Sequence, residues 1–518
     1  MSARLSFSLC FLFCCCWRTS ESAKILAVLP TPSYSHQSVF KVYLQALAQR
    51  GHEIIAIKPT TRIDYEDGGR RFANNITTVD ATLSESHFKN LIKQSRFFRK
   101  RGVVADSSTV TMSNYMGLVR MVSDQFKLPK VAELIERRAD YHIDLIVCEA
   151  FIDYSLVFSH LFNNAPVIQI SSGYGLAENF ETMGATSRHP LYYPNMWRDR
   201  FDKLNVWDTV SELYNEMRLQ NEFERLKDEQ SAMLKEQFGA DTPTVDELRN
   251  RVALLFVNVH PTFDNNRPVP PSVQYLGGLH MHSVENRTLT GVVKEFLDNS
   301  TNGAIYVSFG SGIQAADMDR EFLEMLLQLF ASVPYNVLWK FEGEIDESLV
   351  PENVLRQVWF DQVAVLRHYN TKAFVTQGGV QSTDEAIDAN VPLVGMPMMG
   401  DQFFNTHKYA ELGIGRTLNT ITVNAKQLIE AVTDVAENFT YRKNLASLRH
   451  LIHHQPMSPL RKATWYTEHV LATRGNTLLK TKASNVKYSD YFMAYLIIPC
   501  VTGVIMTQMQ SFLRINLL

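Results

Sequence analysis

Residues 373–396 have the sequence AFVTQGGVQSTDEAIDANVPLVGM, in which two short apolar runs flank a glycine pair and a more polar segment. The runs at 373–376 and 393–396 predict buried strands, and the segment at 382–389 predicts a short helix between them. Strand, helix and strand in this order form one unit of a parallel sheet with a helix on its face. These residues therefore indicate an α/β fold.

The same alternation of strands and helices continues on both sides of this segment. It predicts two Rossmann-like, doubly wound parallel sheets that face each other across a cleft. The predicted strands lie at 24–30, 52–57, 144–148, 167–170 and 254–259 in the first half and at 304–309, 337–340, 373–376 and 393–396 in the second. The predicted helices lie at 40–47, 321–330, 382–389, 428–436 and 463–471, and residues 31–37 are predicted as a loop.

A proline-rich stretch separates the two halves. Pro268, Pro270 and Pro271 lie in a polar segment, which is typical of an extended and rather stiff linker. The 518 residues are also too many for one ordinary core. We expect a signal peptide at 1–22, a first domain at 23–264, a linker at 265–274, a second domain at 275–475 and a C-terminal tail at 476–518.

The two termini suggest passage through the secretory pathway. Arg4 precedes an apolar run that ends near Trp17, and small residues follow, as in a secretory signal peptide. Four of the six cysteines fall in this segment, so the remaining two predict no disulfide framework. The sequons that a secreted chain would offer for glycosylation lie at Asn75, Asn286, Asn299 and Asn438.

The apolar segment at 491–513 has two interpretations. It is uncharged and long enough to span a bilayer. However, Pro499 and several polar residues interrupt it, and only Arg514 follows as a basic flank. We favour a tail that docks on the protein or stays free, and a membrane anchor is the alternative.

The net charge of -3, with scattered basic residues, excludes a nucleic-acid partner, and the oligomeric state is not indicated.

The glycine pair has the features of an anion-binding turn. Gly378 and Gly379 allow a sharp turn between strand and helix, and the helix N-terminus presents free N–H groups that suit a diphosphate. Gln377, Gln381 and Ser382 add neutral hydrogen-bonding groups. Glu385, one turn further, can accept hydrogen bonds from the hydroxyls of a ribose. The alternative is a simple tight turn with solvated polar residues.

Three other segments could complete a nucleotide-sugar site. Trp359 offers a flat face for stacking a base, and Gln362 can bind the base or ribose. Asp401 and Gln402 follow the next strand and can hold sugar hydroxyls; the alternative for Asp401 is the N-cap of a helix starting at Phe403. The third segment, at the end of a strand, is a possible phosphate-facing turn that contains Ser308, Gly310 and Ser311.

Together these motifs resemble the nucleotide-sugar signature of the UDP-glycosyltransferases. The signature covers Trp359-x-x-Gln362, Gly378-Gly379-x-x-Ser382-x-x-Glu385, the two prolines of the next strand, and Asp401-Gln402. The resemblance extends over nearly the whole chain after the signal peptide. The segment FVNVHPTFDNNRPVPP at 256–271 and QGGVQS at 377–382 are most similar to the baculovirus ecdysteroid UDP-glucosyltransferases, and insect members come next.

The resemblance implies a GT-B fold, with an acceptor-binding first domain and a UDP-sugar-binding second domain. It also implies UDP-glucose as co-substrate, with no further cofactor, and inversion at the sugar to give a β-glucoside. The sequence contains no metal-ligand cluster with recognised spacing, which fits chemistry without a metal. The implied acceptor is a hydrophobic hydroxylated compound, an ecdysteroid. In contrast to vertebrate and plant members, which usually have His, this chain has Gln377. Gln377 cannot become cationic, so we expect donor affinity to respond less to pH.

The resemblance also points to a general base. His36 belongs to the sequence Pro30-x-x-x-x-Ser35-His36, which is similar to the catalytic loop of the family, and it is predicted to lie in a loop just before a helix. An imidazole can take a proton from a hydroxyl near neutral pH. Where the family usually has an Asp to orient it, this chain has Glu149, and Asp153 follows; we favour Glu149 and keep Asp153 open. Either carboxylate could instead be an ordinary polar residue at the end of a strand.

Three functions remain possible at this point. The first is a secreted glucosyltransferase that inactivates ecdysteroids. The second is a membrane-anchored, insect-type enzyme for diverse lipophilic acceptors. The third is a non-catalytic binding protein for a steroid or a UDP-sugar. For the acceptor pocket we expect aromatic residues of 174–197, with Phe180, Tyr192 and Tyr193 as candidates.

Overall fold

The computed structural model describes residues 22–64, 75–84, 100–198, 200–201, 203–283, 287–313 and 318–515. The predicted signal peptide, except for its last residue, and the sequon at Asn286 lie outside these ranges. All other motifs discussed above lie within them.

The first half forms a parallel sheet of seven strands in the order β3-β2-β1-β4-β5-β6-β7. Its strands read as almost continuous apolar runs, because helices cover both faces of the sheet. The strands are β1 Lys24–Val28, β2 Glu53–Lys58, β3 Ile76–Asp80, β4 Leu145–Glu149, β5 Val167–Ser171, β6 Val252–Val257 and β7 Val273–Tyr275.

The second half forms a parallel sheet of six strands in the order β10-β9-β8-β11-β12-β13. Two parallel sheets in one chain confirm the predicted α/β fold class with two Rossmann-like units. The strands are β8 Ala304–Ser308, β9 Asn336–Lys340, β10 Val354–Gln357, β11 Thr371–Thr376, β12 Leu393–Gly395 and β13 Gly415–Thr417.

Helices pack on both sheets and connect most of the parallel strands. The α-helices are α1 Tyr34–Gln49, α2 Met112–Phe126, α3 Pro129–Glu136, α4 Val157–Leu161, α5 Ala177–Met183, α6 Val206–Phe238, α7 Val245–Arg249, α8 Gly291–Asp298, α9 Arg320–Ser332, α10 Gln362–Arg367, α11 Val380–Ala389, α12 Gln402–Glu411, α13 Ala425–Glu437, α14 Phe439–His453, α15 Pro459–Ala472, α16 Tyr488–Tyr491 and α17 Ala494–Ile515.

Each sheet has one point at which the strand order changes direction. In the first sheet β1 pairs with β4, and in the second β8 pairs with β11. Loops that leave the carboxyl ends of two such strands diverge to opposite faces and open a crevice, where α/β proteins bind ligands. The carboxyl ends of these four strands and the segments after them contain His36, Glu149, Asp153 and the predicted residues at 308–311 and 377–382. The fold therefore places these residues at the two switch points, whereas Trp359 follows β10 and Asp401 follows β12.

The chain crosses between the two sheets a second time near its C-terminal end. Helix α15 follows the second sheet in sequence but packs on the first, where Ala463 and Val470 join the apolar core around β1. Tyr43 Oη lies 2.6 Å from Thr467 Oγ1, and Arg50 Nη2 donates to Glu468 Oε2 at 2.6 Å. The domain boundaries stay a prediction, but β7 and α15 both belong to the first sheet's packing.

Local structure differs from the sequence-based expectations in two places. The predicted loop at 31–37 is wrong in its second part, because α1 already begins at Tyr34. His36 therefore lies in the first turn of a helix rather than in a loop. At the sequon of Asn75, the side-chain nitrogen that would carry a glycan donates to the carbonyls of Ala48 and His52, both at 2.7 Å. This hydrogen bonding disfavours glycosylation at Asn75.

Most of the C-terminal apolar segment lies in α17, and the side chains from residue 495 to residue 510 are exposed. Over the described ranges, which end at residue 515, no helix combines the length and the apolar composition needed to cross a membrane.

Candidate active site

A cavity of about 300 Å³ lies between the carboxyl ends of the two sheets. Its walls come from both halves of the chain, as the two switch points require. The predicted site residues that line it are His36, Ser308, Gly310, Ser311, Trp359, Gln362, Gln377, Gly379, Gln381, Ser382, Glu385, Asp401 and Gln402. The remaining three, Glu149, Asp153 and Gly378, do not line it.

The first half contributes a histidine and a buried carboxylate. Glu149 is the last residue of β4 and is 2% exposed, whereas a quarter of the His36 side chain reaches the cavity. Glu149 Oε1 lies 2.5 Å from His36 Nδ1, and Glu149 Oε2 accepts a hydrogen bond from the backbone N–H of Thr31 at 3.1 Å. The carboxylate thus fixes the proton of the imidazole on Nδ1 and leaves Nε2 for a group in the cavity.

Asp153 is used elsewhere in the structure. Its Oδ2 accepts hydrogen bonds from Arg249 Nε at 2.9 Å and Nη2 at 2.6 Å, and its Oδ1 accepts one from Gln169 at 3.1 Å. Asp153 and Arg249 are both buried. This carboxylate therefore compensates a buried guanidinium, and of the two alternatives left open by the sequence it is Glu149 that contacts His36.

The glycine turn of the second half has the geometry expected of an anion-binding loop. Gly378 has φ +89°, and a Cβ there would lie 2.5 Å from Thr406 Cγ2, so only glycine fits without displacement. Gly379 is the N-cap residue of α11. The N–H groups of the first turn of α11 therefore face the end of the loop, at the positive end of the helix dipole.

The loop after β8 touches this turn directly. Gly310 has φ +75°, and a Cβ at this position would lie 2.1 Å from Gln377 Nε2. The Gln377 side-chain oxygen accepts a hydrogen bond from Thr376 Oγ1 at 3.1 Å, which leaves its amide group directed towards the Gly310 loop. The two predicted phosphate-facing segments are thus brought into contact, with Ser308 buried behind them.

A chain of hydrogen bonds joins the residues expected to bind the ribose. Gln362 Nε2 donates to Ser382 Oγ at 2.9 Å and to Glu385 Oε2 at 2.7 Å. The other oxygen of Glu385 lies 3.3 Å from Nε2 of His280, a buried residue that also lines the cavity. His280 was not predicted from the sequence, because a single histidine outside a motif carries no distinguishing signal.

Trp359 lies in the loop between β10 and α10 and forms part of the cavity wall. Two residues of the first half contact its indole. The guanidinium carbon of Arg62 lies 4.1 Å from the ring centroid, and the Tyr34 ring packs edge-on at 5.0 Å. The indole is therefore held across the cleft by both halves of the chain.

Asp401 occupies the N-cap position of α12, yet among the described residues its carboxylate caps no backbone N–H. Instead, Asp401 Oδ2 accepts a hydrogen bond from Asn405 Nδ2 at 3.1 Å. Burial raises the pKa of Asp401 to about 6, and the hydrogen bond from Asn405 opposes this shift only in part. Gln402 Oε1 accepts hydrogen bonds from the backbone N–H groups of Met398 and Met399, both at 3.0 Å, and so shapes the loop beside the cavity.

Two expectations for this region are revised by the structure. Gln381 Nε2 donates to the backbone carbonyl of Ser172 at 2.8 Å, so this side chain links the two halves. In the segment expected to line an acceptor pocket, Phe180 is fully buried in the core and Tyr192 is 62% exposed on the surface. Arg267 stacks on Phe180 and on Tyr193, with its guanidinium carbon 4.2 Å and 4.6 Å from the two ring centroids. These three aromatic residues do not support the expected pocket.

Aromatic side chains from outside the expected segment lie near His36. The Phe151 ring centroid is 6.0 Å from that of His36, and Tyr115 lies 6.4 Å beyond Phe151. Among the residues that the structure describes, no three His, Cys, Asp or Glu side chains cluster closely enough to hold a metal ion.

Comparison with known proteins agrees with this geometry. The family model "UDP-glucoronosyl and UDP-glucosyl transferase" matches residues 23–515. The chain is 57% identical over 501 residues to the ecdysteroid UDP-glucosyltransferase of Mamestra brassicae nuclear polyhedrosis virus, covering 96% of this chain and 94% of the relative. It is 54% identical over 505 residues to the protein of the same name from Lymantria dispar multicapsid nuclear polyhedrosis virus, covering 97% and 98%.

Solved structures of glycosyltransferases share the fold. Spinosyn forosaminyltransferase superposes with a TM-score of 0.58 at 16% identity and covers 87% of this chain and 99% of its own. The glycosyltransferase of kitacinnamycin gives a TM-score of 0.54 at 18% identity, with 88% and 99% covered. The GT-B fold implied by the resemblance is therefore confirmed. From the match over residues 23–515 and the identity to viral relatives, the chain belongs to the UDP-glucuronosyl and UDP-glucosyl transferase family of enzymes.

Proposed function

We propose that this protein transfers glucose from UDP-glucose to a hydroxyl group of an ecdysteroid and thereby inactivates the hormone. The observation that carries the proposal is the pair formed by His36 and Glu149 on the wall of the same cavity that contains the donor motif. The viral relatives that are more than half identical to this chain are named ecdysteroid UDP-glucosyltransferases, which supports the donor and the acceptor class.

In the proposed reaction the acceptor oxygen attacks the anomeric carbon of glucose. His36 Nε2 accepts the hydroxyl proton as the new C–O bond forms, and the bond between the anomeric carbon and the diphosphate oxygen breaks. Direct displacement of this kind inverts the sugar configuration. Glu149 holds the ring in the productive tautomer and stabilises the imidazolium that forms. The aromatic side chains of Phe151 and Tyr115 offer an apolar surface beside this base.

The second half would stabilise the leaving UDP. Negative charge develops on the diphosphate as the bond breaks, and the start of α11 after Gly379 presents N–H groups and a positive dipole to it. Gln377 and the Gly310 loop supply neutral groups nearby. Asp401 and Gln402 are proposed to hold the glucose hydroxyls, while Trp359 stacks on the uracil. Each contact is made by the chain's own side chains or backbone, without a metal.

We further propose that the mature protein is secreted after removal of residues 1–22 and that α17 remains outside the membrane. Retention of the expressed protein in the membrane fraction, rather than release into the medium, would favour the insect-type, membrane-anchored alternative.

The test is incubation of the secreted protein with UDP-glucose and a panel of hydroxylated steroids and phenols, followed by mass spectrometry. The expected result is a hexosyl adduct on ecdysteroids, with stoichiometric release of UDP. The His36→Ala variant should form no adduct above background while it still binds UDP. Binding of both ligands by the wild-type protein without UDP release would instead identify a non-catalytic binding protein.

A further inference from the structure

We propose that His280 is a positioning residue for the ribose of the donor: it holds the Glu385 carboxylate in the orientation that receives the ribose hydroxyls. The proposal rests on the proposed use of a UDP-sugar and extends it to a residue that lies outside the recognised signature. His280 belongs to the connection after the last strand of the first sheet, whereas the carboxylate it contacts is on a helix of the second.

His280 forms part of the cavity wall. It lies in the short 3-10 helix Leu279–Ser283, is 4% exposed, and borders the cavity beside Glu385. The preceding segment is anchored on both sides, because Leu279 N–H donates to Asn258 Oδ1 at 3.1 Å and Gly278 N–H donates to Asp384 Oδ2 at 3.2 Å. The imidazole therefore has little freedom to move away from the carboxylate.

Glu385 is held by a different partner at each of its oxygens. His280 Nε2 is 3.3 Å from Oε1, and Gln362 Nε2 donates to Oε2 at 2.7 Å. With both oxygens oriented from behind, the lone pairs that remain on the carboxylate are available to vicinal hydroxyls in the cavity. A carboxylate fixed in this way loses less conformational freedom when the nucleotide binds.

The charges around the imidazole favour its protonated form. Burial opposes protonation of His280, but the nearby carboxylates of Glu385 and Asp384 outweigh this effect and raise its pKa. Burial also raises the pKa of Asp384 to about 7, although the positive charge of His280 lowers it in turn. Burial, with a smaller contribution from the charge of Glu385, raises the pKa of the nearby Tyr306 hydroxyl. A protonated imidazole beside the Glu385 carboxylate strengthens the contact that orients it, because charge-assisted contacts are stronger than neutral ones.

The experiment compares two nucleotides that differ only at the ribose. Binding of UDP and of 2′,3′-dideoxy-UDP is measured by isothermal titration calorimetry for the wild-type protein and for His280→Ala, His280→Gln and Glu385→Gln. We expect His280→Ala to weaken UDP binding by about tenfold, the loss of roughly one charge-assisted hydrogen bond, and to change dideoxy-UDP binding less than about twofold. His280→Gln, which keeps a neutral donor, should recover part of the loss.

His260→Gln is the matched control. His260 lies in the preceding connection, between β6 and β7, and burial, together with the charge of Lys462, lowers its pKa to about 4, so it is neutral. Its Nδ1 faces Thr262 rather than the cavity. This variant should bind both nucleotides like the wild-type protein.

Kinetics provide a second readout. His280→Ala should raise the KM for UDP-glucose by a factor similar to the loss of UDP affinity, while kcat at saturating donor and the acceptor KM stay within about twofold. In the double variant His280→Ala/Glu385→Gln, the KM for UDP-glucose should be little higher than in the weaker-binding single variant, because both substitutions act on one contact.

Equal weakening of both nucleotides by His280→Ala would assign the residue a general structural role and overturn the proposal. If His280→Ala does not fold, His280→Gln and Glu385→Gln provide the test. If either variant discriminates between UDP and dideoxy-UDP as strongly as the wild-type protein does, the proposal is overturned. No UDP binding by the wild-type protein would overturn the proposed function as well as the role of His280.

Discussion

Replacement of Glu149 by glutamine should separate the two carboxylates that the sequence left as alternatives. The substitution keeps the size of the side chain and lets the amide oxygen accept from the Thr31 N–H. It removes the negative charge that lies 2.5 Å from His36 Nδ1. The amide can also turn its NH₂ group towards Nδ1, which would leave the proton of the imidazole on Nε2, where the acceptor must be deprotonated.

The expected loss follows from the charge that develops on His36. When His36 takes the proton, a carboxylate and an imidazolium face each other with charge centres about 4 Å apart, an interaction of about 4 kcal/mol at an effective dielectric constant near 20. A quarter of the His36 side chain is exposed, so solvent reduces this value. We therefore expect kcat to fall by about a hundred- to a thousandfold, since each 1.36 kcal/mol is worth about tenfold.

Asp153→Asn is the matched control for Glu149→Gln. It leaves Arg249 buried without its counter-charge, and we expect a loss of about 3 kcal/mol or more in the free energy of unfolding. The kcat per folded molecule should stay near the wild-type value. UDP release at saturating UDP-glucose and acceptor, corrected for the folded fraction by circular dichroism, measures both effects. A Glu149→Gln variant with wild-type kcat, or an Asp153→Asn variant that is folded but inactive, would refute the assignment.

Three further substitutions test the donor half. Trp359→Ala should raise the KM for UDP-glucose by about five- to a hundredfold, because base stacking contributes about 1–3 kcal/mol, and should leave the acceptor KM unchanged. Asp401→Asn tests the buried carboxylate whose pKa rises from 3.8 to about 6 on folding. Since the folded state favours the protonated acid, the melting temperature of the wild type relative to this variant should be highest below about pH 4 and decrease as the pH rises through about 6. In the Gln377→His variant, the KM for UDP-glucose should increase as the pH rises above about 6.5 and the imidazole loses its charge. The same pH dependence in the wild type and the variant would contradict the proposed effect of the glutamine.

Much of the fold could be predicted because both sheets are parallel and covered on both faces. Their strands are therefore apolar runs, which stand out in the sequence. The strands missed were those with weaker signals, such as β10, whose residues are all half-buried, and β13, which has only three residues. The start of α1 was missed because its first turn contains only polar side chains and Tyr34, and the apolar spacing begins later.

Within the site, local motifs identified the donor residues, whereas contacts between distant segments could not be predicted. The sequence favoured Glu149 but left Asp153 open, because the decision depends on Arg249, which lies 96 residues after Asp153 and pairs with its carboxylate. His280 was missed for the same reason: its partner, Glu385, is on helix α11 of the second half, far from it in sequence. The prediction that Phe180, Tyr192 and Tyr193 line an acceptor pocket was not supported, because aromatic residues occur both in cores and in pockets and the sequence does not distinguish the two.

The return of α15 to the first sheet has a practical consequence for exchanging halves between related enzymes. A chimera joined only at the proline-rich segment would unite a first sheet from one parent with a covering helix from the other. The buried face of that helix, and the pairs that Tyr43 and Arg50 make with Thr467 and Glu468, would then be mismatched. Acceptor specificity should therefore be transplanted with two junctions, so that residues from Pro459 onwards travel with the N-terminal half.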